Sequence, residues 1–167
     1  MLIVIMGVAG SGKTTVGRAL AAELGWLFIE GDLFHSQAAI EKMRHGIALA
    51  DEDRAEWLSK LHHRFTELLS ARQDAVISCS ALKKSYRDRM RLGLSPRDVH
   101  FVFLNVSLEL ARDRMHRRIG HFMPESLIQS QFEALEPPQS DEEVLWIDGE
   151  KSISEIVSLI RSRLLSR

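Results

Sequence analysis

Residues 7–14 (GVAGSGKT) match the pattern G-x-x-x-x-G-K-[ST] without a gap. Glycines in such a segment allow a tight turn whose backbone N–H groups point at phosphate oxygens. The lysine can reach the β- and γ-phosphates of a nucleotide, and the hydroxyl that follows it can bind Mg²⁺. The pattern therefore predicts a loop that binds ATP together with magnesium. The predicted ATP contacts are Gly7, Val8, Ala9, Gly10, Ser11, Gly12, Lys13, Thr14 and Thr15.

Two acids, Glu30 and Asp32, follow the second apolar stretch of the chain. They are two residues apart, so in an extended chain both side chains point to the same side. Phosphoryl transfer benefits from a carboxylate that orients the attacking hydroxyl and accepts its proton. We assign that catalytic role to Asp32, and Glu30 is the candidate to hold a metal-bound water beside Thr14. A solvated strand end is the alternative interpretation.

Three further polar residues could contact the phosphate acceptor. His35 lies three positions after Asp32, which makes hydroxyl recognition plausible, and the same holds for Lys42. No local pattern decides between this role and simple exposure for either residue. Arg54 could bind a carboxylate through two hydrogen bonds, although pairing with the acids before it at a helix start is equally consistent with its position.

Two pairs of cations, each four residues apart, stand out later in the chain. Lys83 and Arg87 follow the third apolar stretch, share a helix face if the helix starts early, and suit an anionic acceptor. An exposed basic helix is the alternative. Arg114 and Arg118 precede a glycine and a proline, and mobile arginines can close over phosphates and stabilise developing charge. We therefore predict a mobile lid at about residues 112–136, with both arginines in catalytic roles.

Composition excludes several classes of protein. The 167 residues carry a formal net charge of −1, so no strong field attracts nucleic acid or an anionic membrane. No apolar run approaches the roughly 20 residues of a membrane span, and one cysteine fits a reducing compartment. A cytoplasmic enzyme is the default interpretation. A nucleotide-dependent switch stays an alternative. It is disfavoured because the third and fourth strands end in Ser78-Cys79-Ser80 and Asn105 instead of the expected aspartate, and because no N-K-x-D motif occurs.

Short apolar strands alternate with amphipathic helices along the whole chain, which predicts a single domain with a three-layer α/β/α sandwich around a parallel sheet. Ligands bind at the carboxyl ends of strands in such sheets, where all the candidate residues lie. The predicted strands are Met1–Met6, Trp26–Glu30, Ala75–Cys79, Val99–Val106 and Val144–Ile147. The predicted helices are Thr14–Leu24, one capped by Asp51, Ser85–Leu94, one capped by Ser107, and one opened by the capping box Ser152–Glu155.

The chain contains, in this order, the stretches GVAGSGKTTVG, LGWLFIEGD with His35, Lys42-Met43, DEDR with Trp57-Leu58, ISCSALKKSYRDRMR, GHFMP, Ser130-Gln131 and LEPP. Together they resemble the gluconokinase family of P-loop kinases, and they cover nearly the whole chain. The resemblance implies ATP-dependent phosphorylation of D-gluconate at its 6-hydroxyl, a homodimer, and a five-stranded parallel sheet in the order 2-3-1-4-5. It implies an acceptor-binding segment at about residues 31–54. It also implies that gluconate is contacted by Asp32, His35, Arg54, Lys83 and Arg87, and that His121 lies at the edge of the lid.

One stretch departs from the family pattern. The family usually continues the histidine as His-Pro-x-x-Asn, whereas Ser36 and Ala39 occupy the proline and asparagine positions here. We expect a looser turn after His35 and the loss of an amide that supports the acceptor loop. A related sugar acid is therefore the alternative acceptor.

Overall fold

The computed structural model of the protein describes residues 1–117 and 125–165, and their strands form one five-stranded sheet in the order β2-β3-β1-β4-β5. All neighbouring strands are parallel. This topology confirms the expected strand order, and each strand lies within two residues of its predicted bounds. The strands are β1 (Leu2–Met6), β2 (Leu27–Glu30), β3 (Ala75–Cys79), β4 (Val99–Asn105) and β5 (Leu145–Asp148).

Helices connect the strands and cover both faces of the sheet. Among the described residues, no helix is long and apolar enough to cross a membrane. Arg118 and His121, for which site roles are predicted, lie outside the described residues. The helices are α1 (Lys13–Leu24), α2 (Gln37–Arg44), α3 (Asp51–Ser70), α4 (Lys84–Met90), α5 (Leu108–His116), α6 (Glu125–Ala134) and α7 (Ile153–Leu164), with short 3₁₀ helices at Gly31–Phe34 and Ser140–Glu142.

Strand β1 lies at the centre of two hydrophobic layers. Val4 packs in a cluster with Trp57 and Phe65 of α3, whereas Ile3 packs on the other face with Leu20 of α1. Successive side chains of a strand point to opposite faces, so a continuous apolar run such as LIVIM requires cover on both sides. The predicted three-layer sandwich is confirmed.

The starts of the helices agree with the sequence pattern in two cases and differ in one. The Ser107 hydroxyl accepts the Leu110 N–H of α5, and the Ser152 hydroxyl accepts the Glu155 N–H of α7, as predicted. The prediction that Asp51 caps α3 is wrong. Asp53 instead reaches back and accepts the N–H of Ala50, the residue before the helix, at 2.9 Å. The Asp51 carboxylate is thereby left for contacts with another part of the chain.

A buried ion pair joins α4 to the 3₁₀ helix before β5. Arg87 and Glu142 are almost completely buried and bond through Nε–Oε2 at 2.6 Å and Nη2–Oε1 at 2.9 Å. Arg87 Nη1 also donates to the carbonyls of Ala81 and Leu82, both at 3.1 Å. Burial opposes the ionisation of Glu142, but the hydrogen bonds from Arg87 and from the Gln139 N–H outweigh it and lower the pKa of Glu142.

This geometry corrects the expected role of Arg87. Its guanidinium is committed to Glu142 and to backbone carbonyls, and its side chain has no exposed surface with which to contact an acceptor. Arg87 instead fixes the loop between β3 and α4. Ala81 in that loop has a φ of 44°, a conformation that non-glycine residues rarely adopt, and Arg87 bonds its carbonyl. Arg87 is therefore a positioning residue for the loop that ends at Lys83.

We predict that Glu142→Gln destabilises the protein by about 3 kcal/mol, because it leaves the Arg87 charge buried without its counter-charge. The matched control is Glu56→Gln, which breaks the exposed Glu56–Lys60 pair on α3 and should cost less than about 1 kcal/mol. Urea unfolding followed by circular dichroism measures both values. Equal destabilisation of the two variants would contradict the structural importance assigned to the buried pair.

Candidate active site

The glycine-rich loop turns between β1 and α1 and lies directly against α5. Gly10 has a φ of 80°, and a Cβ atom there would lie 2.5 Å from the carbonyl oxygen of Ala111. Gly12 has a φ of 98° and precedes the first residue of α1. Only glycine accommodates both the close approach and the left-handed conformation. The loop therefore brings its backbone N–H groups and the positive end of α1 to one place, as phosphate binding requires.

The residues predicted to bind the metal lie together at the start of α1. The Thr14 hydroxyl donates to Glu30 Oε2 at 2.8 Å, and the Ser78 hydroxyl donates to the other oxygen of the same carboxylate. Ser78 is paired with Glu30 in the register of β2 and β3, which explains the contact. Sequence reasoning missed Ser78, because its link to Glu30 depends on strand register.

This group of oxygens fits a magnesium ion. Mg²⁺ prefers hard oxygen ligands, and it is often held by one or two side chains together with substrate phosphates and water. A hydroxyl and a carboxylate beside a phosphate loop meet that requirement. No cluster of three or more His, Cys, Asp or Glu side chains that could hold a metal occurs within residues 1–117 and 125–165.

A cleft of about 480 Å³ joins the phosphate loop to the predicted acceptor residues. The residues that line it include Asp32, His35, Arg54 and Arg114. Asp32 lies in the 3₁₀ helix that directly follows β2, so the carboxyl end of that strand delivers it to the cleft. The structure thus brings the predicted base, histidine and arginine to the nucleotide loop.

Trp57 of α3 holds the acidic segment in place. Its indole Nε1 donates to the carbonyl of Gly31 at 2.9 Å, and its ring stacks on His35 with a centroid separation of 4.5 Å and an interplanar angle of 11°. One buried side chain therefore fixes the backbone just before Asp32 and the ring just after it. Nothing in the local sequence shows the contact of Trp57 with Gly31, 26 residues away.

The turn after His35 is well defined without the proline of the family pattern. Ser36 has a φ of −66°, close to the angle that proline imposes, and its hydroxyl accepts the Ala39 N–H at 3.2 Å as the cap of α2. Ala39 itself is buried. The expectation of a looser turn is therefore wrong, because a helix cap replaces the ring constraint.

Lys83 lies in a second cleft that adjoins the first. It pairs with Asp51 at 2.8 Å, and the Tyr86 hydroxyl donates to the same carboxylate. The hydrogen bond from Lys83 is the main reason that the pKa of Asp51 lies below its usual value. Arg54 borders both clefts and donates to the carbonyl of Leu49 at 2.9 Å and to the Tyr86 oxygen at 3.3 Å. Asp51 and Tyr86 thus connect Lys83 to Arg54, whereas Arg87 bonds Glu142 instead.

Two other predicted cations have defined positions. Arg114 donates to the carbonyl of Ser11 in the phosphate loop at 3.3 Å and to that of Gly149 at 2.8 Å, so it bridges the loop and the connection between β5 and α7. Lys42 pairs with Asp53 at 2.6 Å, at the start of α3. The structure therefore places Arg114 against the phosphate loop and gives Lys42 a contact outside the main cleft.

A central phosphate loop at the carboxyl end of a parallel sheet, with a carboxylate and arginines in the same cleft, defines a P-loop kinase. A model of the AAA domain matches residues 2–138. A gluconokinase of Gluconobacter oxydans is 48% identical over 89% of this chain and 83% of its own length. The thermosensitive gluconokinase of Escherichia coli is 46% identical over 98% of this chain and 87% of its own length.

Solved structures agree with these similarities. The crystal structure of a gluconokinase from Sinorhizobium meliloti superposes with a TM-score of 0.85 at 46% identity, covering 97% of this chain and 90% of that one. Sequence and fold therefore both match gluconokinases over most of their length. The chain belongs to the gluconokinase family.

We predict that the His35 ring is neutral at pH 7. Burial lowers its pKa below 6.5, the Asp32 carboxylate opposes this shift, and the Arg54 charge adds to it. As the pH falls below 6.5, the unfolded chain takes up a proton that the folded chain does not, so this residue makes the protein less stable in acid. NMR titration of the ring should give a midpoint below 6.5, and Asp32→Asn should lower it further. A midpoint that rises in that variant would contradict the assigned environment.

Proposed function

We propose that this protein transfers the γ-phosphoryl group of ATP to the 6-hydroxyl of D-gluconate, giving 6-phospho-D-gluconate and ADP. The observation that carries the proposal is one cleft in which the phosphate loop and Asp32 lie together with His35 and Arg54. The chain's relatives that bear the name gluconokinase match it over nearly its full length, which supports gluconate as the acceptor.

The phosphate loop binds the triphosphate in this proposal. Backbone N–H groups of the loop hold phosphate oxygens, except that of Ala9, which bonds Gln131. Lys13 pairs with the β- and γ-phosphates, and Arg114 stabilises the charge that spreads during transfer. Thr14 would hold Mg²⁺ directly, and Glu30 would hold one of its water ligands. A magnesium ion bound there neutralises phosphate charge. Gly149, Lys151 and Ile153 line the cleft near Arg114, and we assign adenine to that end.

Asp32 acts on the acceptor. Its carboxylate orients the 6-hydroxyl towards the γ-phosphate and accepts the hydroxyl proton as the bond to phosphorus forms. His35, kept neutral by burial, can donate or accept one hydrogen bond with a neighbouring hydroxyl of the sugar acid. The Trp57 stack and the Ser36 cap hold both side chains in place before substrate arrives.

The carboxylate end of the acceptor lies towards the second cleft. Arg54 borders both clefts, and Lys83 lines the second. A sugar acid extended from Asp32 would therefore place its charged end near two cations. Asp51 already neutralises part of the Lys83 charge. The carboxylate of a bound sugar acid would therefore pair with Lys83 alongside Asp51.

Three wider features complete the proposal. Residues 112–136 form a lid, in which Arg118 closes over the phosphates and His121 lies near the acceptor. The enzyme is a homodimer, which light scattering of the purified protein would test. It works in the cytoplasm, and its single cysteine, Cys79, is buried in the core as a reduced thiol.

A related sugar acid is the second candidate acceptor. The serine cap at Ser36 and the buried Ala39 replace the proline and asparagine of the family pattern, so the segment that follows His35 differs from that pattern. The transfer chemistry stays the same in this alternative.

An ADP-release assay over aldonic acids, shikimate and nucleoside monophosphates tests the proposal directly. We expect the highest kcat/KM with D-gluconate. Turnover that favours another aldonic acid would support the second candidate. Nucleotide hydrolysis that no small acceptor stimulates would instead indicate a switch protein and would overturn the proposal.

We predict that Asp32→Ala lowers kcat by at least about 100-fold, because general-base assistance is lost. The Kd for ATP, measured by isothermal titration calorimetry, should change little, since the residue faces the acceptor. Near-normal turnover in this variant would show that another group orients the hydroxyl.

We predict that Lys83→Ala raises the KM for gluconate about 10-fold, because a hydrogen bond to a charged group is lost. The KM for ATP should stay within about twofold. Lys84→Ala is the control, since Lys84 pairs with Asp88 on the surface of α4. Equal increases in both KM values for Lys83→Ala would point to a structural lysine.

A further inference from the structure

A side chain from α6 contacts the phosphate loop. The amide Oε1 of Gln131 accepts a hydrogen bond from the backbone N–H of Ala9 at 2.7 Å, across 122 residues of sequence. A backbone N–H can only donate, so the atom facing Ala9 must be the amide oxygen. The orientation of the whole amide is thereby determined, with its NH₂ group turned away from Ala9.

Helix α6 packs beside the loop, which explains the contact. Ile128 is buried in a cluster with Val8 of the loop and Ala111 of α5. Gln131 lies one helical turn after Ile128, and residues three apart share a helix face. Packing of the helix therefore directs the amide of Gln131 at the loop.

Gln131 also lies where the two clefts meet. It lines the nucleotide cleft with the phosphate loop and the second cleft with Lys83. The N–H groups of such a loop point at phosphate oxygens, and Ala9 is the loop's third residue. Within residues 1–117 and 125–165, the Nε2 group of Gln131 has no hydrogen-bond partner, so two donors are available beside a site for phosphate.

We propose that Gln131 binds the γ-phosphate of ATP. Its Oε1 atom stays on the Ala9 N–H, and its Nε2 group donates to an oxygen of the phosphoryl group that is transferred. The residue thereby links α6 to the reacting group and distinguishes ATP from ADP. The inference rests on the proposed function only in taking ATP as the nucleotide, and it does not depend on which acid accepts the phosphate.

The contact between Gln131 and Ala9 can also be interpreted in the opposite way, and that interpretation predicts the opposite change in ATP affinity. The amide oxygen could occupy the place of a phosphate oxygen on the Ala9 N–H, so that ATP must displace it. Gln131 would then weaken ATP binding, and its removal would strengthen it. The sign of the change in affinity separates the two interpretations.

The test measures the Kd of ADP and of a non-hydrolysable ATP analogue, both with Mg²⁺, by isothermal titration calorimetry. For Gln131→Ala we expect the analogue to bind about 10-fold more weakly, because a hydrogen bond to a charged group is lost. The Kd for ADP should stay within about twofold of the value for the unchanged protein. Gln131→Glu can still accept from Ala9 but places a negative charge beside the γ-phosphate. It should weaken analogue binding further and leave ADP binding nearly unchanged.

Gln129→Ala is the matched control. Gln129 lies on the same helix and bonds Arg112 and Glu133 instead of the loop, so both affinities should be unchanged in this variant. Analogue binding that is unaltered or tighter in Gln131→Ala would overturn the proposal, as would an equal loss for both nucleotides, which would indicate support of the loop alone. No acceptor is present in these measurements, so their outcome is independent of the gluconate assay.

Discussion

The close approach of the phosphate loop to α5 is the constraint on which the rest of the site depends. At Gly10 the backbone of the loop passes so near the carbonyl of Ala111 that no side chain fits between them. The loop is therefore held between β1, α1 and α5, and its N–H groups can converge only at the carboxyl edge of the sheet. Because β2 ends at the same edge, Glu30 reaches Thr14 and Asp32 reaches the cleft without any long excursion of the chain.

Buried side chains hold the residues that would contact substrate. Trp57 bonds Gly31 and stacks on His35, so it fixes both sides of Asp32. Arg87 pairs with Glu142 and fixes the loop that ends at Lys83. In both cases a fully buried group sets the position of a more exposed one, and the free energy of core packing maintains the geometry of the site.

The fold could be predicted from the sequence because its signals are local. The apolar run LIVIM requires burial on both faces, and the hydroxyls of Ser107 and Ser152 mark helix starts within four residues of chain. The site was predicted less completely, because several of its contacts join distant residues. Arg87 looked like a ligand for the acceptor, and only the structure shows Glu142 opposite it, 55 residues away. Ser130-Gln131 matches the family pattern, but the contact of Gln131 with Ala9 depends on how α6 packs, which the sequence does not show.

The central claim is that one cleft holds the phosphate chain and directs an acceptor hydroxyl at Asp32. A crystal structure with Mg²⁺, ADP, aluminium fluoride as a mimic of the transferred phosphoryl group, and D-gluconate tests it most directly. The account predicts that the 6-hydroxyl oxygen lies in line with the aluminium and within about 2.6–3.2 Å of an Asp32 oxygen, with the gluconate carboxylate towards Arg54 and Lys83. A gluconate bound in the reverse direction, with its carboxylate at the phosphate loop and its 6-hydroxyl away from Asp32, would contradict it.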